Sequence, residues 1–163
     1  MNSIVIRPIK QTDDAAIAKI IRDNLEKYHL DIPRTAYYDP ELDCLSQYYA
    51  RPLHERIYLI AATDAGEVVG GIGMSLFKGF PRCGEIQKLY VSEENKRQGI
   101  GQRLLETIEC YARDKQFQRL YLETHTNLQA AVRLYERNGY QKISQPAEVV
   151  HSTMDLFYLK ELP

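Results

Sequence analysis

The sequence predicts an α/β protein built on one mixed β-sheet of about seven strands, with helices on both faces. Between Arg56 and Val91, three strand-like segments follow one another across short turns, which makes them antiparallel neighbours. From Glu85 onward, strands alternate with helices, which calls for parallel crossovers. The chain has 163 residues, 44% of them hydrophobic and 26% charged, so residues 1–163 are read as one domain with one sizeable core.

Taken in order, Ile4 to Ile9 alternates around Val5 and Arg7 and reads as a first strand. Thr12 is suited to cap a helix, with Asp13 and Asp14 placed for its dipole. Ile17, Ile20, Ile21, Leu25 and Tyr28 form the apolar face of that helix. His29 to Pro52 is irregular, with a short helix expected from about Pro40 to Tyr49. Arg56 to Thr63 is a strand, Asp64-Ala65-Gly66 a hairpin turn, and Glu67 to Lys78 the returning strand. Gly70, Gly71 and Gly73 interrupt that strand and imply a bulge or a close approach by another group. Glu85 to Val91 is the next strand, and Gln102 to Lys115 a long helix. Arg119 to Thr124 is a strand, and Asn127 to Arg137 a helix closed by Asn138-Gly139. Tyr140 to Ser144 and Ser152 to Lys160 complete the set as two strands joined around Pro146.

Composition narrows the function classes. The formal net charge is −1 with both signs interspersed, so no basic face points to nucleic acid. Apolar runs are only a few residues long, which gives no membrane span, and the N-terminal segment does not read as a signal peptide. The three cysteines, Cys44, Cys83 and Cys110, match no zinc spacing and read as reduced thiols of a cytoplasmic protein; no metal is expected.

The chemistry gathers at Gly84 to Gly101, GEIQKLYVSEENKRQGIG. Gly99 and Gly101 open a helix whose first turn exposes unpaired N–H groups, and the dipole there favours an anion. Lys96 and Arg97, just before it, add mobile positive charge. A P-loop is excluded because no Lys-Ser or Lys-Thr follows the glycines. A dinucleotide fingerprint with Glu123 as its acid fails too: Leu104 stands at the third glycine, and about forty residues beyond Glu123 leave no room for a second half.

KRQGIGQRLL resembles the Arg/Gln-x-x-Gly-x-Gly/Ala motif of the GNAT superfamily of N-acetyltransferases, with Lys96 where that motif carries Arg or Gln. Further on, LYLETHTNLQAAVRLYERNGYQKI resembles the family's second signature through Leu134, Tyr135, Glu136, Gly139 and Tyr140. The element order is similar from about Ile4 to Lys160. The resemblance implies the GNAT acyl-CoA N-acyltransferase fold and transfer of an acetyl group from acetyl-CoA to an amine-bearing acceptor, small molecule or protein. It implies direct transfer in a ternary complex and leaves a homodimer open. A non-catalytic acetyl-CoA-binding sensor or docking module is the alternative, disfavoured by retention of Tyr135.

The resemblance also implies site roles. Lys96, Arg97, Gln98, Gly99, Ile100, Gly101 and Gln102 would cradle the pyrophosphate. The backbone of Leu89, Tyr90 and Val91 would pair with the pantetheine arm like an added strand. Tyr135 would be the general acid at sulfur, or else a buried aromatic. Glu85 would be the general base through water, or else a solvated strand-entry residue, with His125 the second candidate or an exposed turn histidine. Asn127 would bond the cofactor or cap its helix. The acceptor would enter over Tyr28 to Tyr58 and Ser144 to Met154, where six of the chain's twelve tyrosines fall in the first segment. Cys83 near Glu85 would suit a covalent mechanism, but no motif supplies a histidine partner.

Overall fold

A computed structural model describes residues 3–50, 56–150 and 152–163. Among them, β1 (Ile4–Pro8) leads through a 3-10 turn to α1 (Asp14–Lys27), then α2 (Leu45–Tyr49), β2 (Ile57–Thr63), β3 (Val68–Phe77) and β4 (Cys83–Val91). There follow α3 (Ile100–Asp114), β5 (Arg119–Thr124), α4 (Gln129–Arg137), β6 (Gln141–Ile143) and β7 (Leu156–Glu161). The strands form one mixed seven-stranded sheet in the order β1-β2-β3-β4-β5-β7-β6, with β4 and β5 parallel. No described helix is long and apolar enough to cross a membrane.

Two apolar layers cover the sheet. α1, the 3-10 turn Leu42–Cys44 and α2 bring Ile17, Ile21, Leu25, Leu42 and Leu45 onto Tyr58, Ile60 and Ala62 of one face. α3 and α4 bring Leu104, Leu105, Ile108 and Leu134 onto Leu59, Ala61, Ile72 and Leu122 of the other. Burying each such Leu or Ile contributes roughly 1.5–3 kcal/mol, which is why α1 and α3 form where their apolar spacing falls. β2 is covered on both sides, so its run IYLIAAT is almost wholly buried rather than alternating.

Several boundaries differ from expectation for identifiable reasons. Thr12 does not cap α1. The helix starts after a 3-10 turn, with Asp13 at the boundary and no side-chain cap. Asp13 is instead engaged by the Arg7 guanidinium at 2.7 and 2.9 Å and by the Lys10 N–H at 2.7 Å, which holds its carboxyl below the usual range. The helix expected from Pro40 begins as a 3-10 turn at Leu42. β7 starts at Leu156, because Thr153 donates to the Pro33 carbonyl and Asp155 accepts from Thr126, tying that stretch down as loop. Gly139, with φ +87°, closes α4.

The glycines of β3 serve both a bulge and a close approach. The register to β4 shifts between Gly71 and Gly73. On the α1/α2 face, a Cβ at Gly71 would lie 2.4 Å from Tyr58 Cε1, and one at Gly73 would lie 2.7 Å from the Tyr49 hydroxyl. Tyr49 and Tyr58 therefore lie flat where side chains would otherwise stand, with ring centroids 5.2 Å apart. Gly71→Ala should destabilise the fold by about 1–3 kcal/mol through overpacking, whereas Gly101→Ala, whose Cβ would meet only Leu134 at 3.5 Å, should not. Urea midpoints of the two variants compare them directly; equal midpoints would refute the tight fit at Tyr58.

Candidate active site

β4 and β5 pair only from Cys83–Arg119 to Ile86–Leu122 and then separate. The cause lies in β4. Lys88 takes φ +51°, and two residues, Lys88 and Leu89, intervene where β3 supplies one. The Tyr58 hydroxyl donates to the Lys88 carbonyl at 2.7 Å, and the Lys88 ammonium reaches Asp39 at 2.7 Å, so both ends of the bulged residue are fixed. Beyond the bulge, Ser92 N–H bonds the Val69 carbonyl, and Gly70 faces Val91. Antiparallel alternation then turns the Tyr90 backbone toward β3 and the Leu89 and Val91 backbone toward the gap.

The gap opens into a cleft of about 950 Å³ between β4, the start of α3 and α4. Of the residues expected to hold a cofactor, Leu89, Tyr90, Val91, Lys96, Arg97, Gly99, Ile100, Gly101, Gln102 and Asn127 line it; Gln98 and Tyr135 do not. Gly99 stands at the helix start with φ +77°, no side chain caps the first turn, and a Cβ there would meet nothing within 4 Å. The N–H groups of Ile100, Gly101 and Gln102 thus lack helical partners at the mouth of the cleft. At Gly101 a Cβ would only reach ordinary contact with Leu134 of α4, at 3.5 Å, so helix packing does not itself require this glycine.

Lys96 is not a mobile charge. Its ammonium bonds Glu93 at 2.8 Å and lies 5.0 Å from the Tyr28 ring centroid, while Lys27 pairs with the same carboxylate. Lys27 first and Lys96 second hold the Glu93 carboxyl down to about 2. Asn127 does not cap α4. The helix starts at Gln129 after Leu128, and the Asn127 amide donates to the Tyr28 carbonyl at 2.9 Å, tying α4 to α1 across the cleft. His125 is half-buried rather than exposed, and its Nδ1 accepts the Asn127 N–H at 3.0 Å.

Tyr135 is buried behind the lining residues Ala131 and Leu134, in edge contact with Tyr140 at 5.8 Å and near Tyr158 at 6.5 Å. Tyr140 in turn donates to the buried Glu109, which also accepts from Lys160. Burial, with the Tyr90 phenol adding to it, raises the Tyr135 hydroxyl above its usual range, so it stays protonated at neutral pH.

Glu85 lies within β4 rather than at its entry, partly buried and opposite Tyr121 of β5. Burial pushes its carboxyl up to about 7, opposed by a 3.1 Å hydrogen bond from Gln87 and reinforced by Glu123. Gln87 is oriented by the Tyr49 hydroxyl at 2.6 Å. Glu123 accepts from Tyr121 at 2.9 Å and from Ser152 at 2.8 Å. The sequence reading missed Gln87, Tyr49 and Glu123 as neighbours of Glu85. The alternation of RLYLET, which puts Tyr121 and Glu123 on one face, was the available signal. Cys83 is fully buried, donates to the Gly84 carbonyl, and burial lifts its thiol to about 12, which suits no nucleophile.

Six of the tyrosines expected near an acceptor are described, and those with the deepest burial, Tyr49 and Tyr58, belong to the packing over β3. Residues 51–55 and 151 of the expected acceptor segments lie outside the described residues.

Comparison with known proteins agrees with this geometry. The family model "Acetyltransferase (GNAT) family" matches residues 21–140. The uncharacterized N-acetyltransferase YjgM of Escherichia coli (strain K12) is 35% identical over 144 residues, covering 86% of this chain and 84% of that protein. An acetyltransferase of the GNAT family from Staphylococcus aureus Mu50 superposes with a TM-score of 0.85 at 18% identity, over 99% of this chain and 100% of that one. The PaiA N-acetyltransferase of Thermoplasma acidophilum, solved in complex with coenzyme A, gives 0.77 at 20% identity, over 98% and 99%. A mixed sheet split beside a glycine-opened helix defines an acyl-CoA-type transferase fold. The chain belongs to the GNAT family of acetyltransferases.

Whether the glycine corner binds an anion is tested by backbone against charge. Gly99→Val forces a side chain into left-handed backbone and into the cleft, and calorimetry should show coenzyme A affinity falling by more than ~100-fold. Lys96→Ala should cost less than about fivefold, because an ion pair already exposed contributes at most ~1 kcal/mol. Losses of equal size would contradict a cradle built from backbone N–H groups.

Proposed function

We propose that the chain transfers the acetyl group of acetyl-CoA directly to a primary amine of a small molecule or protein within a ternary complex. The observation that carries this reading is the split between β4 and β5. It leaves an unpaired strand edge running from the uncapped start of α3 toward Glu85. An edge with free N–H groups fits a chain bearing amides, and the helix start fits the phosphates at the end of that chain. Acetyl-CoA bound there supplies an activated thioester.

The residues of the chain supply the rest. A nitrogen–carbon bond forms as a carbon–sulfur bond breaks, so one proton leaves the amine and one reaches sulfur. Glu85 is the base, through water. Its carboxyl near 7 makes it ionised enough to accept a proton at neutral pH and basic enough to hold one. Gln87 and Tyr49 fix its orientation, and Glu123 raises its basicity. Tyr135 is the acid: α4 carries it behind the cleft wall, and its raised phenol keeps the proton until sulfur takes it. The buried, inert Cys83 argues against a covalent enzyme intermediate. A sensor needs the phosphate corner but not a carboxyl raised to about 7, so catalysis is the better reading.

Two experiments test these roles. Tyr135→Phe keeps the ring packing and should lower turnover by ~10²–10⁴-fold with coenzyme A affinity nearly unchanged. An unaltered turnover number removes Tyr135 as the acid. For Glu85, rate against pH should rise along an acidic limb with a midpoint near 7, and Glu85→Gln should abolish that limb. Stability should move the other way. A carboxyl at about 7 in the fold and ~4.3 unfolded holds an extra proton between those values, so wild-type stability is lost as pH rises through that window. Glu85→Gln should thus be neutral near pH 4 and stabilising, by at most ~4 kcal/mol, above pH 7. A stability gain of the same size at both pH values would show that burial is not what raises Glu85.

A further inference from the structure

Asn24 stands in the middle of α1 and is 7% exposed, an unusual place for an amide unless something engages it. Its Nδ2 donates to the Ile20 carbonyl at 2.9 Å and to the Val91 carbonyl at 3.0 Å. Both neighbours are acceptors, so the nitrogen must face them, and the orientation of the amide is fixed by chemistry. Its oxygen is then turned the other way and accepts from no described group. Asn24 lines the cofactor cleft, and it also lines a second groove between α1 and the Gly66–Val68 turn, so it stands where the two meet.

Its partner gives this placement a meaning. Val91, like Leu89, turns its N–H and C=O toward the gap left by β5. A chain laid against that edge as an extra strand finds the Val91 N–H free, but the Val91 carbonyl is already turned to Asn24. That carbonyl keeps one lone pair for such a chain, and the Asn24 oxygen, presented by the same amide, offers a second acceptor beside it. Accepting through one end while donating through the other, the Asn24 side chain extends the hydrogen-bonding edge of β4 by one rung.

We propose that Asn24 is a cofactor-arm-binding residue, whose Oδ1 accepts a hydrogen bond from an amide N–H or hydroxyl of the pantetheine arm of coenzyme A. This rests on the cofactor reading above and adds a contact from α1, an element that carries neither of the sequence motifs. It also explains why the site would retain a buried amide where an apolar residue of the same shape would pack at least as well.

The test separates arm from nucleotide. Coenzyme A and 3′-phosphoadenosine 5′-diphosphate, which lacks the arm, are titrated calorimetrically into wild type and Asn24→Leu. Loss of one hydrogen bond should weaken coenzyme A about fivefold to tenfold and leave the nucleotide within about twofold. The wild-type protein provides a second readout that does not depend on the variant folding: the ¹⁵N side-chain resonance of Asn24 should shift with coenzyme A and not with the nucleotide. Equal weakening of both ligands, or an Asn24 resonance unmoved by coenzyme A, overturns the inference while leaving the cofactor reading intact. If neither ligand binds wild type, the cofactor reading fails and this inference with it.

Discussion

The hydrogen bond from the Tyr58 hydroxyl to the Lys88 carbonyl is the contact on which the site depends. Lys88 occupies left-handed backbone at φ +51°, which costs a lysine roughly 1–3 kcal/mol and must be held from outside. Tyr58 can reach it only because Gly71 and Gly73 carry no Cβ, so the ring crosses β3 at a distance no other residue allows. The displaced Lys88 then takes β4 away from β5 after Ile86, and the unpaired edge follows. Glycine run, buried tyrosine, bulge and cleft form one causal sequence. A loss at its first step propagates to the last, which makes the interior of β3 as consequential for binding as the cleft wall.

The two ends of the cleft use charge differently. At the glycine-corner end, Lys27 and Lys96 are held by Glu93, and the groups left free to meet an anion are fixed backbone dipoles that need no side-chain ordering. Preorganisation of that kind lowers the entropic cost of binding. At the Glu85 end, a partly buried carboxylate beside Glu123 makes ionisation unfavourable, and the fold carries that cost in stability. Gln87, Tyr49, Tyr121 and Ser152 fix both carboxylates through hydrogen bonds rather than through cations. The balance matters: a lysine in contact with Glu85 would pull it back toward the ordinary range. Lys88, which lowers the Glu85 carboxyl only as the last of the causes acting on it, is drawn to Asp39 and Glu41 instead.

The strand and helix order was legible because each long element has a strong apolar period, and the two motifs placed the glycine corner and Tyr135 on the right elements. What the sequence could not show were contacts between different elements, whether near or far along the chain. Thr12 looked like a cap because Arg7 was not known to claim Asp13. Asn127 looked like a cap or a ligand because its bond to Tyr28 spans ninety-nine residues. Lys96 looked free because Lys27 and Lys96 meet only at Glu93. Glu123 looked like a failed ribose acid because its bond from Ser152, twenty-nine residues on, and its place beside Glu85 depend on a register the sequence does not give. In each case a polar side chain had two local uses, and a partner from another segment decided between them.

The same logic explains why polar residues of α1 and of the loop after it matter to a site whose motifs lie far along the chain. α1 covers the β4 edge from the side opposite α3, so any polar group on its sheet-facing side meets either the core or the cleft. Asn24 meets the cleft, and Lys27 and Tyr28 meet its rim. Asn127 then bonds the Tyr28 carbonyl, and Asp39 holds Lys88. α1 and its loop are thus bonded to α4 on one side and to the bulge on the other. A rigid α1 keeps the gap at a fixed width, and the width of that gap is what distinguishes a binding edge from a strand waiting to re-pair with β5.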